Sequence, residues 1–153
     1  ADIPLPGGIL RVDKAIVPRT TELRLGHYSL PELDGKPIEK KEVKAGEWTA
    51  QVVSNGAYSL ALVPLMGWTD ADAEEATGLH PVSDRCAYPV AEDVLQADGR
   101  QAEKIYITLM LWKKGDKDFS KKELTPVKEI LVSASGNVVE ITLRSGEKKY
   151  VSL

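Results

Sequence analysis

The dipeptide Asn55–Gly56, set between two runs that read as strands, constrains the fold more than any other feature of the chain. Both residues tolerate positive φ, as a two-residue hairpin turn requires. The pattern predicts a hairpin pairing residues 47–54 with 57–65, with Val53 opposite Tyr58, Val52 opposite Ser59 and Trp48 opposite Val63. One face then carries Trp48, Ala50, Val52, Ala61, Val63 and Leu65, which reads as core. The other carries Thr49, Gln51, Tyr58, Leu60 and Leu62, and is only half polar.

A second hairpin closes the chain. Residues 138–144 and 148–153 flank Ser145–Gly146–Glu147. A three-residue loop sets Ile141 opposite Val151 and Val139 opposite Leu153, whereas a two-residue loop splits Val151 and Leu153 from the apolar face. Burial of one coherent face favours the longer loop. Further strands are read at 9–17, 22–27, 104–113 and 127–134, punctuated by Pro and Gly. Helical character is confined to residues 70–76. Many strands, frequent turns and almost no helix predict an all-β, antiparallel β-sandwich with one long irregular loop and at most one short helix. Residues 1–153 read as a single domain, a length sufficient to close a core.

An antiparallel strand with one wet face alternates apolar and polar residues. Residues 105–112 do not: Ile105, Ile107, Leu109 and Leu111 lie on one side, and Tyr106, Thr108, Met110 and Trp112 on the other. Leu60 and Leu62 likewise oppose Ala61 and Val63. Leu60, Leu62, Met110 and Trp112 therefore form a candidate docking face on the outside of the sheet. Two coverings are open: the long segment 66–102 folding back as a lid, or a larger partner domain.

Composition narrows the function classes. With 42% hydrophobic and 28% charged residues the chain reads as an ordinary globular protein. Its apolar runs are too short for a membrane span, and the N-terminus has no signal-peptide pattern. The chain opens at Ala1 without an initiator Met, which suggests processing or excision from a longer protein. A net charge of −3 gives no field that would attract nucleic acid. Lys40–Lys41, Lys113–Lys114 and Lys121–Lys122 are each interleaved with acidic residues and read as solvated surface. The single Cys86 excludes an intrachain disulfide and a multi-Cys zinc site, and reads as a small buried hydrophobe.

No constellation amounts to a catalytic site. His27 and His80 lack a second ligand at metal spacing, so no metal and no cofactor is expected. Ser83, His80 and Asp84 are nearly consecutive, with no nucleophile elbow. The acidic run Asp70, Asp72, Glu74 and Glu75 lacks the Gly and downstream Glu of a calcium loop and reads as a solvated helix start. The most suggestive stretch is 67–89, where Trp68, His80, Arg85 and Tyr88 share one irregular segment. Sugar sites combine flat aromatic faces with a few orienting polar groups, so these residues are candidate glycan contacts; anchoring of the loop by Trp68 is the competing reading.

The segment LRLGHYSLPE at 23–32 is similar to C-terminal β-domains of bacterial polysaccharide-processing enzymes. So are TGLHPVSDRCAYP at 77–89, the apolar strand KIYITLMLW at 104–112 and the closing hairpin VVEITLRSGEKKYVSL at 138–153. The chain resembles the β-sandwich that follows an α/α-toroid catalytic domain in heparinase II/III-like lyases and a related family. That resemblance implies that catalytic groups belong to the toroid, and that His27, Tyr28 and residues 77–89 face the neighbouring cleft. It leaves three readings: a non-catalytic accessory domain packed on a carbohydrate-active catalytic domain, an independent carbohydrate-binding module using Trp68, Tyr88 and Arg85, or a small enzyme using His80 or Cys86. The first is preferred, with a secreted or periplasmic setting implied.

Overall fold

The structure is a computed structural model that describes residues 1–19, 22–29, 32–33, 35–68 and 88–153; at 22, 24–29, 32–33 and 88–92 it describes the backbone. The chain is an all-β sandwich. Its larger sheet runs in the order β1 (Asp2–Leu5), β2 (Gly8–Val17), β10 (Ala102–Lys114), β8 (Tyr58–Met66), β7 (Trp48–Ser54), β6 (Glu39–Ala45). A three-stranded sheet is formed by β11 (Val127–Val132), β12 (Val138–Leu143) and β13 (Lys148–Ser152). Two ribbons are the other strands among the described residues: β3 (Glu22–Ser29) pairs with β9 (Tyr88–Gln96), and β4 (Glu32–Leu33) with β5 (Lys36–Pro37). All pairings among the described residues are antiparallel.

The core lies between the two larger sheets. Leu10, Val12, Ala50, Ala61, Val63, Ile107 and Leu109 face Val139, Ile141 and Val151, all in one buried cluster. Period-two alternation puts these positions on one side of each strand. The four-residue helix α1 (Lys121–Leu124) closes the cluster with Leu124, fully buried, and the preceding Phe119. Ser120 caps this helix: its Oγ accepts from the Glu123 N–H, while the Glu123 carboxylate accepts from the Ser120 N–H at 2.7 Å. The connection from β10 into α1 is pinned by Ser59, whose buried hydroxyl donates to the Gly115 carbonyl and accepts from the Lys117 N–H, each at 2.9 Å.

Both hairpins form, with registers two residues from those expected. Ser54 pairs with Ser59 and Val53 with Leu60, so four residues, 55–58, separate the last paired residues of the hairpin, Tyr58 being the first residue of β8. Asn55 causes the difference. Its Oδ1 accepts from the N–H groups of Ala57 and Tyr58, and its own N–H donates to the Tyr58 carbonyl, so the side chain builds a longer turn than the backbone of Asn-Gly alone. In the closing hairpin Val139 pairs with Val151 and Ile141 with Lys149. The three-residue loop is 144–146, with Gly146 at φ 90° in its last position and the Leu143 N–H donating to the Glu147 carbonyl. A shift of two keeps each residue on its face, so the apolar sets survive the correction.

Segment 66–102 is not irregular throughout, since β9 occupies Tyr88–Gln96 within it. The expected helix at 70–76 lies outside the described residues; the helix that is described is α1.

Candidate functional site

The outer face of the larger sheet is the candidate site. Along β10 its outward residues are Lys104, Tyr106, Thr108, Met110 and Trp112, and the register gives them Ala15, Asp13, Arg11 and Ile9 as neighbours on β2, with Leu62 and Leu60 beside Met110 and Trp112 on β8. Two halves of this face have different fates.

The half nearest Ala102 is covered by the chain itself. Val17, Ala15 and Ala102 pack against Leu95, Ala97 and Leu23 of the β3–β9 ribbon. Asp93 on β9 is 3% exposed; it accepts from the Tyr106 hydroxyl at 2.6 Å and from the Lys104 ammonium at 2.7 Å. Burial raises the Asp93 carboxyl, but the bonds from Lys104 and Tyr106 outweigh it and hold the pKa below the ordinary carboxylate value. Burial, with Asp93 opposite, pushes the Tyr106 phenol upward, in keeping with its hydroxyl donating to Asp93. Trp68 lies over the neighbouring positions, its ring centroid 4.7 Å from that of Tyr106 and its Nε1–H donating to Thr108 Oγ1 at 2.9 Å. Gly67 permits the approach: it holds φ 87°, and a Cβ there would lie 2.4 Å from the Ile105 carbonyl oxygen.

The other half carries an apolar strip. Ile9, Met110 and Leu62 form one row, and Trp112, Leu60 and Val53 the next, all joined by direct cross-strand pairing. Leu62 is buried, Ile9, Met110, Leu60 and Val53 are half-buried, and Trp112 is 49% exposed. Tyr58, 61% exposed, pairs with Lys114 one row further on. Gln51, opposite Leu62, is buried; its Nε2 donates to Glu42, and its Oε1 has no partner among the described residues.

The remaining candidates divide. His27 pairs with Ala91, Tyr28 with Pro89 and Ser29 with Tyr88, so the ribbon register brings His27, Tyr28 and Tyr88 to one end of β3–β9. His80 and Arg85, with Cys86, Ser83, Asp84 and the acidic run, lie outside the described residues. Trp68 stands against Tyr106 and Thr108, the anchoring role weighed above. The Asp93–Tyr106–Lys104 cluster was missed because β9 and β10 are not paired with each other, and the burial of Asp93 is decided by that packing rather than by any local pattern. Among the described residues no group of three His, Cys, Asp or Glu is placed to hold a metal ion, and no helix is long and apolar enough to cross a membrane.

No protein-family model, no curated protein and no solved structure matches this chain. Fold and site together define an all-β sandwich whose larger sheet is capped on the outer side of β2 and β10 near Ala102 by the β3–β9 ribbon and Trp68.

Proposed function

We propose that this chain is a non-catalytic accessory β-sandwich that packs against the catalytic domain of a carbohydrate-active enzyme. One observation carries the docking part: the strip of Ile9, Leu60, Met110 and Trp112 continues the face that Trp68 and the β3–β9 ribbon cover elsewhere, yet leaves Trp112 half exposed. Contiguous apolar surface rimmed by charge is the common form of an interaction site; here Arg11, Lys40, Glu42 and Lys114 form the rim. An aromatic anchor beside aliphatic neighbours is also the composition of interface hot spots. The nature of the partner comes from the sequence resemblance to domains that follow an α/α-toroid.

The test has two parts. The coding region ahead of residue 1 is read for an in-frame helical toroid domain, and the longer protein is footprinted by hydroxyl radicals with and without that domain. The reading expects protection of Leu60, Met110 and Trp112 when the toroid is present. Equal labelling of Trp112 in both forms, or a coding region with no such domain, sinks it. Binding of a soluble polysaccharide by the isolated chain, lost in Trp112→Ala, would instead make the strip a sugar platform.

A further inference from the structure

A second feature lies at the end of the sandwich where β1 turns into β2 and β12 into β13. A groove of about 600 Å³ opens there, walled by Leu5, Pro6, Leu111, Phe119, Pro126 and Leu143, with Trp112 shared between its edge and the outer strip. Its size and apolar lining are those of small-molecule sites.

The charges at the rim are unequally committed. The Glu123 carboxylate is paired with Lys113 at 2.7 Å, and Lys113 also lies 4.8 Å from the Phe119 ring centroid. The Glu147 carboxylate is paired with Lys149 at 2.6 Å. Both rim carboxylates are thus matched by lysines. Two cations are left over. Lys122 Nζ has no hydrogen-bond or ion-pair partner among the described residues, and Arg144 uses only Nε of its guanidinium, donating to the Thr125 carbonyl at 2.6 Å. An apolar hollow under two unmatched cations, in a chain of net charge −3, is complementary to one ligand chemistry.

We propose that this groove binds a small amphipathic anion: an aliphatic or aromatic body seated against Phe119, Pro126 and Leu143, with its carboxylate between Lys122 and Arg144. A neutral body would fill the hollow and leave both cations unmatched, and a cationic one would be repelled by them. The Thr125 bond limits the guanidinium's freedom, so less order has to be imposed when the anion binds.

The experiment is a fluorescence titration of the whole chain with 8-anilinonaphthalene-1-sulfonate, an apolar anion, with decanoate and decyltrimethylammonium as competitors below their micelle concentrations. The expected result is saturable binding of one dye, displaced by decanoate and not by the ammonium amphiphile, and weakened by added salt. The charge reversal K122E/R144E is expected to weaken binding about tenfold, through four small surface charge terms. K122E alone, which leaves the Thr125 bond in place, is expected to give a smaller loss in the same direction, and L60S on the outer face none. Absence of saturable binding overturns the proposal. So does unchanged affinity in both charge variants, or loss in L60S instead, which would put the dye on the outer strip and support the docking surface alone.

Discussion

Tyr106 donates its hydroxyl to Asp93 Oδ2 at 2.6 Å, tying the larger sheet to the ribbon laid across it. Hydrogen bonds to a buried charged group are worth about 1.5–3 kcal/mol each. Tyr106→Phe is therefore expected to lower unfolding free energy by about 2 kcal/mol, and Asp93→Asn by about 2–3 kcal/mol, since it removes the charge that both Tyr106 and Lys104 bond. Urea denaturation of both variants measures this. The pH dependence follows from the direction of the two shifts. Asp93 is depressed, so its contribution is full above the ordinary carboxylate pKa and fades as pH falls through the lower folded value. The Tm gap between wild type and Asp93→Asn should close on acidification below about pH 4. Tyr106 is raised, so its contribution is full below about pH 10 and is lost above it, a loss that Tyr106→Phe should not show.

Gly8 is a position where the sheet leaves no room for a side chain. A Cβ there would stand 2.1 Å from the Met110 carbonyl oxygen and 2.7 Å from Leu111 Cδ2. Relief requires movement of backbone rather than of a flexible side chain, so Gly8→Ala is expected to cost about 3 kcal/mol. Thermal denaturation followed by circular dichroism reads the loss; a variant as stable as wild type would show that β2 and β10 are further apart at this end.

The capping box of α1 offers a separate test. Ser120→Ala removes the acceptor for the Glu123 N–H and should cost about 1 kcal/mol. The bond from Lys113, assisted by the Ser120 N–H, brings the Glu123 carboxyl down to about 2. A depressed acid contributes fully above its ordinary pKa of about 4.3 and loses that contribution as pH falls towards the folded value. Glu123→Gln should flatten this part of the stability–pH curve, measured by Tm between pH 2 and pH 6, about the span of the titration.

Gln51 runs in the opposite direction. Its Oε1 is buried without a partner among the described residues, and such a group costs about 1–3 kcal/mol. Gln51→Met keeps the volume, removes the carbonyl and returns exposed Glu42 to water. The expected outcome is a gain of about 1 kcal/mol in urea denaturation; a loss would mean that the Gln51–Glu42 bond matters more than the orphaned oxygen.

Legibility differed from element to element for physical reasons. Strands β8 and β10 are nearly continuous apolar runs and β12 alternates apolar with polar residues; with β2 they were readable within one to two residues. β6 was not, because Glu39–Ala45 is an edge strand bristling with charge, the usual protection of an open edge. β9 was hidden by Pro89, Glu92 and Asp93, and it exists through pairing with β3, more than sixty positions earlier by the register of Glu22 with Gln96. The capping box Ser120–Glu123 before Leu124 was legible in the sequence and overlooked. Of the candidate site, the outward positions of Leu60, Leu62, Met110 and Trp112 could be read from alternation; the end groove could not, since its walls come from five separated parts of the chain.

By itself the sequence determined which residues of each strong strand share a side, and that β8 and β10 are apolar on both, because side chains alternate at every residue and a register slip of two cannot undo that. It also determined that the chain builds sheets rather than helices. Only the tertiary structure decided how much of the second apolar side is covered, since covering depends on where β9 and Trp68 land, and those positions are set by long-range pairing and packing that no local pattern encodes.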